Sequence, residues 1–181
     1  MFTHIKVTPQ NTHLINFVTV LLEESFPQEE RRETNLFWEI AFSFPLVTCC
    51  VVAKQSLPIA FYYIWDFKDI AYLEFVAVVK EYRSQGLFSL FLKEILQEFK
   101  KPLICEAERV ETELAQRRLA LYLRLGFTIV SDTYMQPPFR KSDAPQPMYL
   151  LAHLNQYKLP STEEVINLLY TEVYHSTHKK L

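Results

Sequence analysis

The sequence is poor in glycine and cysteine, and it has neither a long apolar run nor a strong net charge. Its 181 residues include only two glycines and three cysteines, and the formal net charge is -2. So small a charge creates no global field that would draw the protein to nucleic acid or to an anionic membrane. No apolar run approaches the roughly 20 residues of a membrane-spanning helix. We therefore expect neither nucleic acid nor a membrane as a partner, and any anionic ligand must be bound locally.

The cysteines and the N-terminal stretch indicate the cellular compartment of the protein. The cysteines are odd in number, and Cys49 and Cys50 are adjacent, so on a strand they would face opposite sides of the sheet. The N-terminal stretch has no basic segment followed by an apolar run and a small-residue cleavage site, which is the pattern of a secretory leader. These features predict reduced thiols and a cytoplasmic location.

Composition and periodicity predict a single domain over residues 1–181 with a mixed α/β (α+β) fold. The apolar share of 49% and the aromatic share of 14% are typical of a chain with a substantial core. Apolar spacing predicts a strand, two helices, three strands, a helix, a strand, a helix, two strands and a C-terminal helix that opens with a capping box. The predicted ranges are, in that order, 3–8, 11–24, 29–42, 46–53, 59–65, 71–79, 87–99, 103–107, 111–125, 127–131, 147–152 and about 161–175.

One of the two glycines, Gly86, lies between the predicted strand 71–79 and the amphipathic helix 87–99. A glycine at this place lets successive backbone N–H groups converge at the start of the helix, where the helix dipole also favours negative charge. The position predicts a phosphate site that needs no basic patch. The alternative is a tight turn without a ligand.

The residues around Gly86 favour the phosphate site. The segment 75–86, FVAVVKEYRSQG, resembles the acetyl-CoA segment of the GNAT superfamily of N-acetyltransferases, in which a small apolar strand end precedes R/Q-x-x-G-x-G/A. Arg83 and Gly86 match, whereas Phe88 stands where the family has Gly or Ala; its place in the core-facing helical stripe predicts a ring that points away from the loop. The resemblance implies acetyl-CoA as co-substrate, held along the pantetheine arm by Val76, Ala77 and Val78 and around the phosphates by Arg83, Ser84, Gln85, Gly86, Leu87, Phe88 and Ser89.

The second glycine, Gly126, ends the helix 111–125, as a left-handed residue does. The segment 118–127, RLALYLRLGF, resembles the second GNAT signature, Y-x-x-x-G-F. In that family the tyrosine stands near the sulfur of coenzyme A, where a phenol can protonate the departing thiolate. The resemblance makes Tyr122 the candidate general acid. The alternative is an aromatic residue that closes the helix onto the sheet.

Two further segments, ESFPQEER from Glu24 and YMQPPF from Tyr134, resemble loops on the acceptor side of a bacterial GNAT subgroup. They extend the resemblance to about residues 2–151. The fold that it implies is a mostly antiparallel central sheet flanked by helices, with two splayed strands that hold the acyl-CoA. The stiff Pro-Pro pair predicts either a loop that holds Tyr134 and Gln136 over a pocket or a rigid surface connection.

An N-acetyltransferase needs a proton acceptor, because a free amine is mostly protonated at neutral pH. Glu74 alternates with Val76 along a predicted strand, which would place both on one face, and Glu106 lies near the end of the next strand, with Glu108 on the same face. Burial and a neighbouring carboxylate would raise the pKa of one of them into the working range. Glu74 and Glu106 are therefore the candidate bases. The alternative for each is a solvated or ion-paired strand residue, and this is the favoured reading of Glu108.

The predicted function is direct transfer of an acetyl group from acetyl-CoA to a primary amine of a small molecule or a peptide, by a monomer or a homodimer. No metal is expected, because His175 and His178 lack carboxylate or cysteine partners at ligand spacing. One alternative is a non-catalytic acyl-CoA-binding or regulatory module on the same fold. The other is a protein-interaction domain that docks through the apolar face of its C-terminal helix, formed by Val165, Ile166, Leu169 and Val173.

Overall fold

In the computed structural model, which describes residues 2–140 and 142–174, helices cover both faces of a central sheet. The strands are β1 (Thr3–Lys6), β2 (Val47–Lys54), β3 (Leu57–Asp66), β4 (Ala71–Val78), β5 (Leu103–Glu108), β6 (Thr128–Ser131), β7 (Met135–Gln136) and β8 (Gln146–His153). The helices are α1 (Thr12–Ser25), α2 (Thr34–Ser43), α3 (Leu87–Glu98), α4 (Glu113–Arg124) and α5 (Thr162–Leu168), which continues into a π-helical turn over Leu169–Tyr174. Two 3-10 turns span Gln28–Glu30 and Lys80–Tyr82.

The sheet runs in the order β1-β2-β3-β4-β5-β8-β6, and β7 pairs with β8. Its pairs are antiparallel except for β4 with β5, which α3 connects as a crossover. This confirms the predicted mixed fold with a mostly antiparallel sheet. The parallel pair joins only residues 71–73 to residues 103–105. Beyond that point the facing edges of β4 and β5 are not paired with each other, and a gap opens in the middle of the sheet.

Both faces of the sheet are covered, because the central strand β3 is apolar at consecutive positions instead of at alternate ones. Phe61, Tyr63 and Trp65 pack into the cluster beneath α1, α2 and α5, whereas Tyr62 and Ile64 pack into the cluster beneath α3 and α4. All five side chains are buried. We call these two sides the α5 face and the α3 face.

A β-bulge interrupts β4 where the gap begins. Tyr63 pairs with Phe75 and Ile64 pairs with Leu73, so Glu74 is an extra residue without a partner on β3. A bulge of this kind bends the strand and increases its twist.

The bulge also changes which side chains share a face. Glu74 accepts a hydrogen bond from Trp65, on the α5 face, whereas Val76 packs against the cluster of the α3 face. The prediction that Glu74 shares a face with Val76 is therefore wrong. Strict alternation holds only where no residue is inserted between two positions of a strand.

The predicted elements are all present, and the differences lie at their ends. The predicted helix 29–42 is a 3-10 turn at Gln28–Glu30 followed by α2, because the chain between them is extended and places Arg32 in the core. The two-residue strand β7 is too short to carry a periodic signal. All three cysteines are buried free thiols, as predicted. None of the helices in the described residues has the length and apolarity that crossing a bilayer requires.

The C-terminal helix packs on its own sheet. Ser161 and Glu164 form the predicted capping box. The apolar stripe that the docking hypothesis requires is covered: Val165, Leu169 and Val173 are at most 1% exposed, and Ile166 packs against the same cluster. Position 175 of the predicted helix lies outside the described residues.

Candidate active site

The turn between β4 and α3 has the backbone that a phosphate site requires. Ser84 and Gly86 both adopt left-handed conformations, with φ of 61° and 74°. Gly86 is the N-cap of α3, and no side chain caps the first N–H groups of this helix. A Cβ added at Gly86 would meet nothing within 4 Å, so the backbone angle and not crowding calls for glycine. Uncapped N–H groups at the positive end of the helix dipole can hold an anion.

The side chains of this turn brace the backbone. The Nε of Arg83 donates to the carbonyl of Val78 at 2.8 Å, and its Nη2 lies 3.3 Å from the Oγ of Ser25. The side-chain amide of Gln85 donates to the carbonyl of Glu81 at 2.7 Å. Arg83 thus ties the turn to the end of β4, and the main chain is the part of the turn that can face a ligand.

Phe88, the departure from the family pattern, points toward α4. Its ring meets Phe91 edge-on with centroids 5.5 Å apart and Tyr122 edge-on at 5.7 Å. It packs against the cluster of the α3 face. Membership of this cluster is what the helical stripe predicts for Phe88.

Tyr122 lies on the α3 face, between Phe88 and Phe127, whose ring centroid is 5.3 Å from its own. Burial raises the pKa of this phenol well above its usual value, the nearby Cys105 thiol adds to the rise, and Arg118 opposes it. The phenol therefore stays protonated at neutral pH, as a proton donor must.

Gly126 holds the end of α4 below Tyr122. Its φ is 90°, and a Cβ there would come within 3.2 Å of the ring of His153. The N–H of Phe127 donates a hydrogen bond to the carbonyl of Tyr122 at 3.1 Å. Both the backbone angle and the close approach require glycine at this position.

Glu74 forms a buried ion pair with Arg32. Its side chain is 1% exposed and contacts the guanidinium of Arg32, which is 0% exposed. Trp65 donates to the same carboxylate at 2.6 Å, and Arg32 lies over the ring of Phe139 at 5.1 Å. Burial lowers the pKa of Arg32, but an arginine keeps its proton in proteins. Glu74 is therefore the counter-ion of a fixed buried charge.

Glu106 lies on the same α5 face, inside a cage of hydroxyl and amide donors. Tyr134 donates to Oε1 at 2.5 Å, Gln136 donates to Oε2, and the Tyr174 hydroxyl lies 2.9 and 2.8 Å from the two oxygens. The Tyr72 hydroxyl lies 3.2 Å from that of Tyr174. Burial raises the pKa of Glu106, and the donors partly offset the rise because they stabilise the charged form. Taken as whole residues, Glu74 and Glu106 are both partly exposed, so exposure does not distinguish them.

The third carboxylate, Glu108, does not join Glu106. It pairs with Arg118 of α4 at 2.9 Å, and both side chains are at least one-third exposed. The structure thus holds Arg118 at the surface in a salt bridge. In the described part of the chain there is also no group of three His, Cys, Asp or Glu side chains that could hold a metal ion. His175 and His178 lie outside the described residues.

The candidate acid and the candidate carboxylate lie on opposite faces of the sheet. Tyr122 is on the α3 face, Glu106 is on the α5 face, and the gap between β4 and β5 lies between them. Glu106 comes directly after Cys105, the last residue of β5 that pairs with β4, so it stands at the point where the gap begins.

Sequence reasoning did not identify Arg32, Tyr72 or Tyr174 as parts of this site. Arg32 follows the quoted ESFPQEER segment, and its neighbours in the sequence are charged and polar, so no local signal marks it as buried. Tyr72 and Tyr174 are aromatic residues in a strand and a helix, and their sequence context does not distinguish them from core residues.

Comparisons with known proteins bear on the family and the fold. The family model described as an acetyltransferase (GNAT) domain matches residues 45–129. A structure assigned to an acetyltransferase of the GNAT family from Bacteroides thetaiotaomicron is 32% identical, covers 95% of this chain and 98% of its own, and gives a TM-score of 0.89. Among curated proteins, no significant match was found.

More distant structures share the fold. The ribosomal-protein-S18-alanine N-acetyltransferase of Escherichia coli is 17% identical, with 90% of this chain and 98% of that chain covered and a TM-score of 0.64. A GNAT acetyltransferase of Elizabethkingia anophelis with acetyl-CoA bound is 17% identical, with 84% and 97% covered and a TM-score of 0.60.

Proposed function

The chain belongs to the GNAT family of acetyltransferases, and we propose that it transfers an acetyl group from acetyl-CoA to a primary amine by direct attack on the thioester. The observation that carries the proposal is the gap between β4 and β5, with Tyr122 on one face and Glu106 on the other. A thioester in that gap would be accessible to both side chains.

The cofactor half of the proposal rests on the backbone. The edge of β4 over residues 76–78 is not paired with β5, so its N–H groups can bond the pantetheine arm and polarise the thioester carbonyl. The segment from Arg83 to Ser89, with its two left-handed residues, would surround the phosphates. The acetyl-CoA bound to the Elizabethkingia anophelis acetyltransferase, which has the same fold, supports acetyl-CoA as the co-substrate.

Of the two candidate bases, Glu106 fits the role and Glu74 does not. The carboxylate of Glu74 is paired with the guanidinium of Arg32, whereas that of Glu106 is bonded by neutral hydroxyl and amide donors and borders the gap. Its raised pKa brings it closer to the pH at which a general base is most efficient. We assign the base to Glu106 and a structural role to Glu74.

The reaction then balances as follows. Glu106 accepts a proton from the ammonium group through a water molecule, and the freed amine forms a C–N bond with the acetyl carbon. The nitrogen, which becomes positively charged as this bond forms, loses a second proton to water. The C–S bond breaks, and Tyr122 donates its proton to the departing thiolate, so that one proton is released in total. Solvent then restores the proton of Tyr122 and removes that of Glu106.

The test combines binding with turnover. Calorimetry with acetyl-CoA measures the cofactor half, and release of free thiol with a panel of small-molecule and peptide amines measures the catalytic half. We expect Glu106→Gln to bind acetyl-CoA normally and to lose roughly 10²- to 10⁴-fold in rate, the usual contribution of a general base. Glu108→Gln is the matched control and should retain activity, because its carboxylate pairs with Arg118 at the surface.

Two outcomes would contradict the proposal. Tight binding of acetyl-CoA without turnover of any amine would favour the non-catalytic acyl-CoA-binding module. Equal loss of activity in Glu106→Gln and Glu108→Gln would remove the assignment of the base.

A further inference from the structure

The last described segment of the chain, the π-helical turn Leu169–Tyr174, lies against the acceptor side of the site. In a π turn each N–H bonds five residues back instead of four, so the turn is wider than in an α-helix. Val173 and Tyr174, which are adjacent in sequence, are both buried here, at 0% and 2% exposure. The turn therefore directs two successive residues inward.

This segment contacts both buried carboxylate systems. The Tyr174 hydroxyl reaches both oxygens of Glu106 at 2.8 and 2.9 Å. The carbonyl of Val173 accepts a hydrogen bond at 2.9 Å from Nη2 of Arg32, the counter-ion of Glu74. A second anchor lies one turn earlier, where Tyr170 donates to the carbonyl of Met135 at 2.5 Å. No other α-helix or π turn in the described residues bonds to Glu106.

We propose that the π turn Leu169–Tyr174 completes the acceptor half of the active site, and that Tyr174 is a positioning residue that holds the Glu106 carboxylate in one orientation at the edge of the gap. The proposal rests on the proposed function, in which Glu106 is the base. The π turn belongs to neither glycine motif, and it lies outside the residues 45–129 that the family model matches. The proposal thus adds a third segment to the two motifs that the active site requires.

The geometry explains why one hydroxyl matters among several donors. Tyr134 donates to Oε1 alone and Gln136 to Oε2 alone, whereas Tyr174 lies within hydrogen-bonding distance of both oxygens. Only Tyr174 among these donors therefore restrains rotation of the carboxylate plane from a single position. Its own hydroxyl is placed by Tyr72, 3.2 Å away.

The charged state of Glu106 depends on the same contacts. The groups that face it are Tyr72 from β4, Arg32 from the segment before α2, Tyr134 and Gln136 from the region of β7, and Tyr170 and Tyr174 from the π turn. Burial favours the protonated form, and the donors favour the ionised form. Removal of the Tyr174 donor leaves the burial in place, so the pKa of Glu106 should rise. The base acts only when ionised. As the pH is lowered, the variant should therefore lose acetyl transfer at a higher pH than the natural protein does.

The test follows the carboxyl carbon of Glu106 by ¹³C NMR in protein labelled at glutamate, with the signal identified by its disappearance in Glu106→Gln. In Tyr174→Phe we expect the acid dissociation constant of Glu106 to fall roughly tenfold, since a hydrogen bond to a charged group contributes about that factor. Tyr62→Phe is the matched control. It removes a buried hydroxyl from the opposite face, 3.3 Å from His4, and should leave the titration unchanged.

An unchanged titration of Glu106 in folded Tyr174→Phe would overturn the proposal, and so would an equal shift in Tyr62→Phe. If Tyr174→Phe does not fold, 3-fluorotyrosine at position 174 replaces it. This nearly isosteric residue is a stronger donor, so the titration should move in the opposite direction, and no movement would again overturn the proposal. The titration needs no acceptor amine, so an absence of acetyl transfer would sink the proposed function without affecting this result.

Discussion

Replacement of Glu74 by glutamine tests whether this carboxylate is a base or a counter-ion. Glu74→Gln keeps the shape of the side chain and an oxygen that can accept the Trp65 hydrogen bond, but it removes the negative charge beside Arg32. Arg32 is fully buried, and the other carboxylate on this face, Glu106, is engaged by its own donors. The variant therefore leaves a buried cation without a direct counter-ion.

The cost follows from the burial of the pair. Removal of one partner of a buried ion pair typically lowers the free energy of unfolding by about 3–5 kcal/mol. For a domain of this size, each kcal/mol corresponds to about 2–4 °C in Tm, so the expected fall is roughly 6–20 °C. The double variant Arg32→Met, Glu74→Leu should recover much of this loss, since it removes both charges from the core together.

The assay is urea denaturation of the protein without acetyl-CoA, followed by fluorescence. Glu113→Gln is the control, because its pair with Arg117 is an exposed i,i+4 contact, with side chains 87% and 78% exposed, and its removal should cause no measurable change. The reasoning is refuted if Glu74→Gln unfolds at the same urea concentration as the natural protein yet has lost acetyl transfer. That result would make Glu74 the base.

Two further predictions concern the glycine turns and the candidate acid. Gly86→Ala should lose about 1–2 kcal/mol of stability for its left-handed backbone and should weaken coenzyme A binding in calorimetry. Gly126→Ala should lose more stability than Gly86→Ala, because its Cβ would also approach His153 at 3.2 Å. It should nevertheless bind coenzyme A normally once folded. A larger stability loss in Gly86→Ala, or weaker coenzyme A binding in Gly126→Ala, would contradict these predictions. Tyr122→Phe should keep its stability and its affinity for coenzyme A but release thiol roughly 10²- to 10⁴-fold more slowly, and an unchanged rate would remove Tyr122 as the acid.

The two glycine turns are predictable from the sequence because their cause is local. A left-handed residue at the start or end of a helix strongly favours glycine, and this chain has only two glycines to place. The orientation of Phe88 is local as well, since it follows from the spacing of apolar residues along one helix.

The cage around Glu106 is not predictable in this way, because it is assembled from distant segments. Its tyrosine and glutamine donors lie 28, 30 and 68 positions away in the chain. The YMQPPF segment predicts either a loop that holds Tyr134 and Gln136 over a pocket or a rigid surface connection, and which of these forms depends on how β7 pairs with β8. Tyr174 depends on a π turn, whereas a regular helical period predicts an α-helix through that position.

The face of Glu74 escapes sequence reasoning for a different physical reason. Alternation along a strand is a local rule, but a bulge is a property of two paired strands, and one strand alone does not show where its partner runs short by one residue. The burial of Arg32 is equally hard to predict, because its counter-ion Glu74 faces it only as a result of the bulge.

The bulge connects the ion pair to the gap. Pairing of β4 with β5 ends at Leu73 and Cys105, one residue before the bulge at Glu74. Since a bulge bends its strand and increases the twist, it provides the physical reason for the separation of the two strands. The inserted residue directs a carboxylate into an apolar core, which is tolerable only because Arg32 compensates its charge. The Arg32–Glu74 pair therefore stabilises the bulge at the point where β4 and β5 separate.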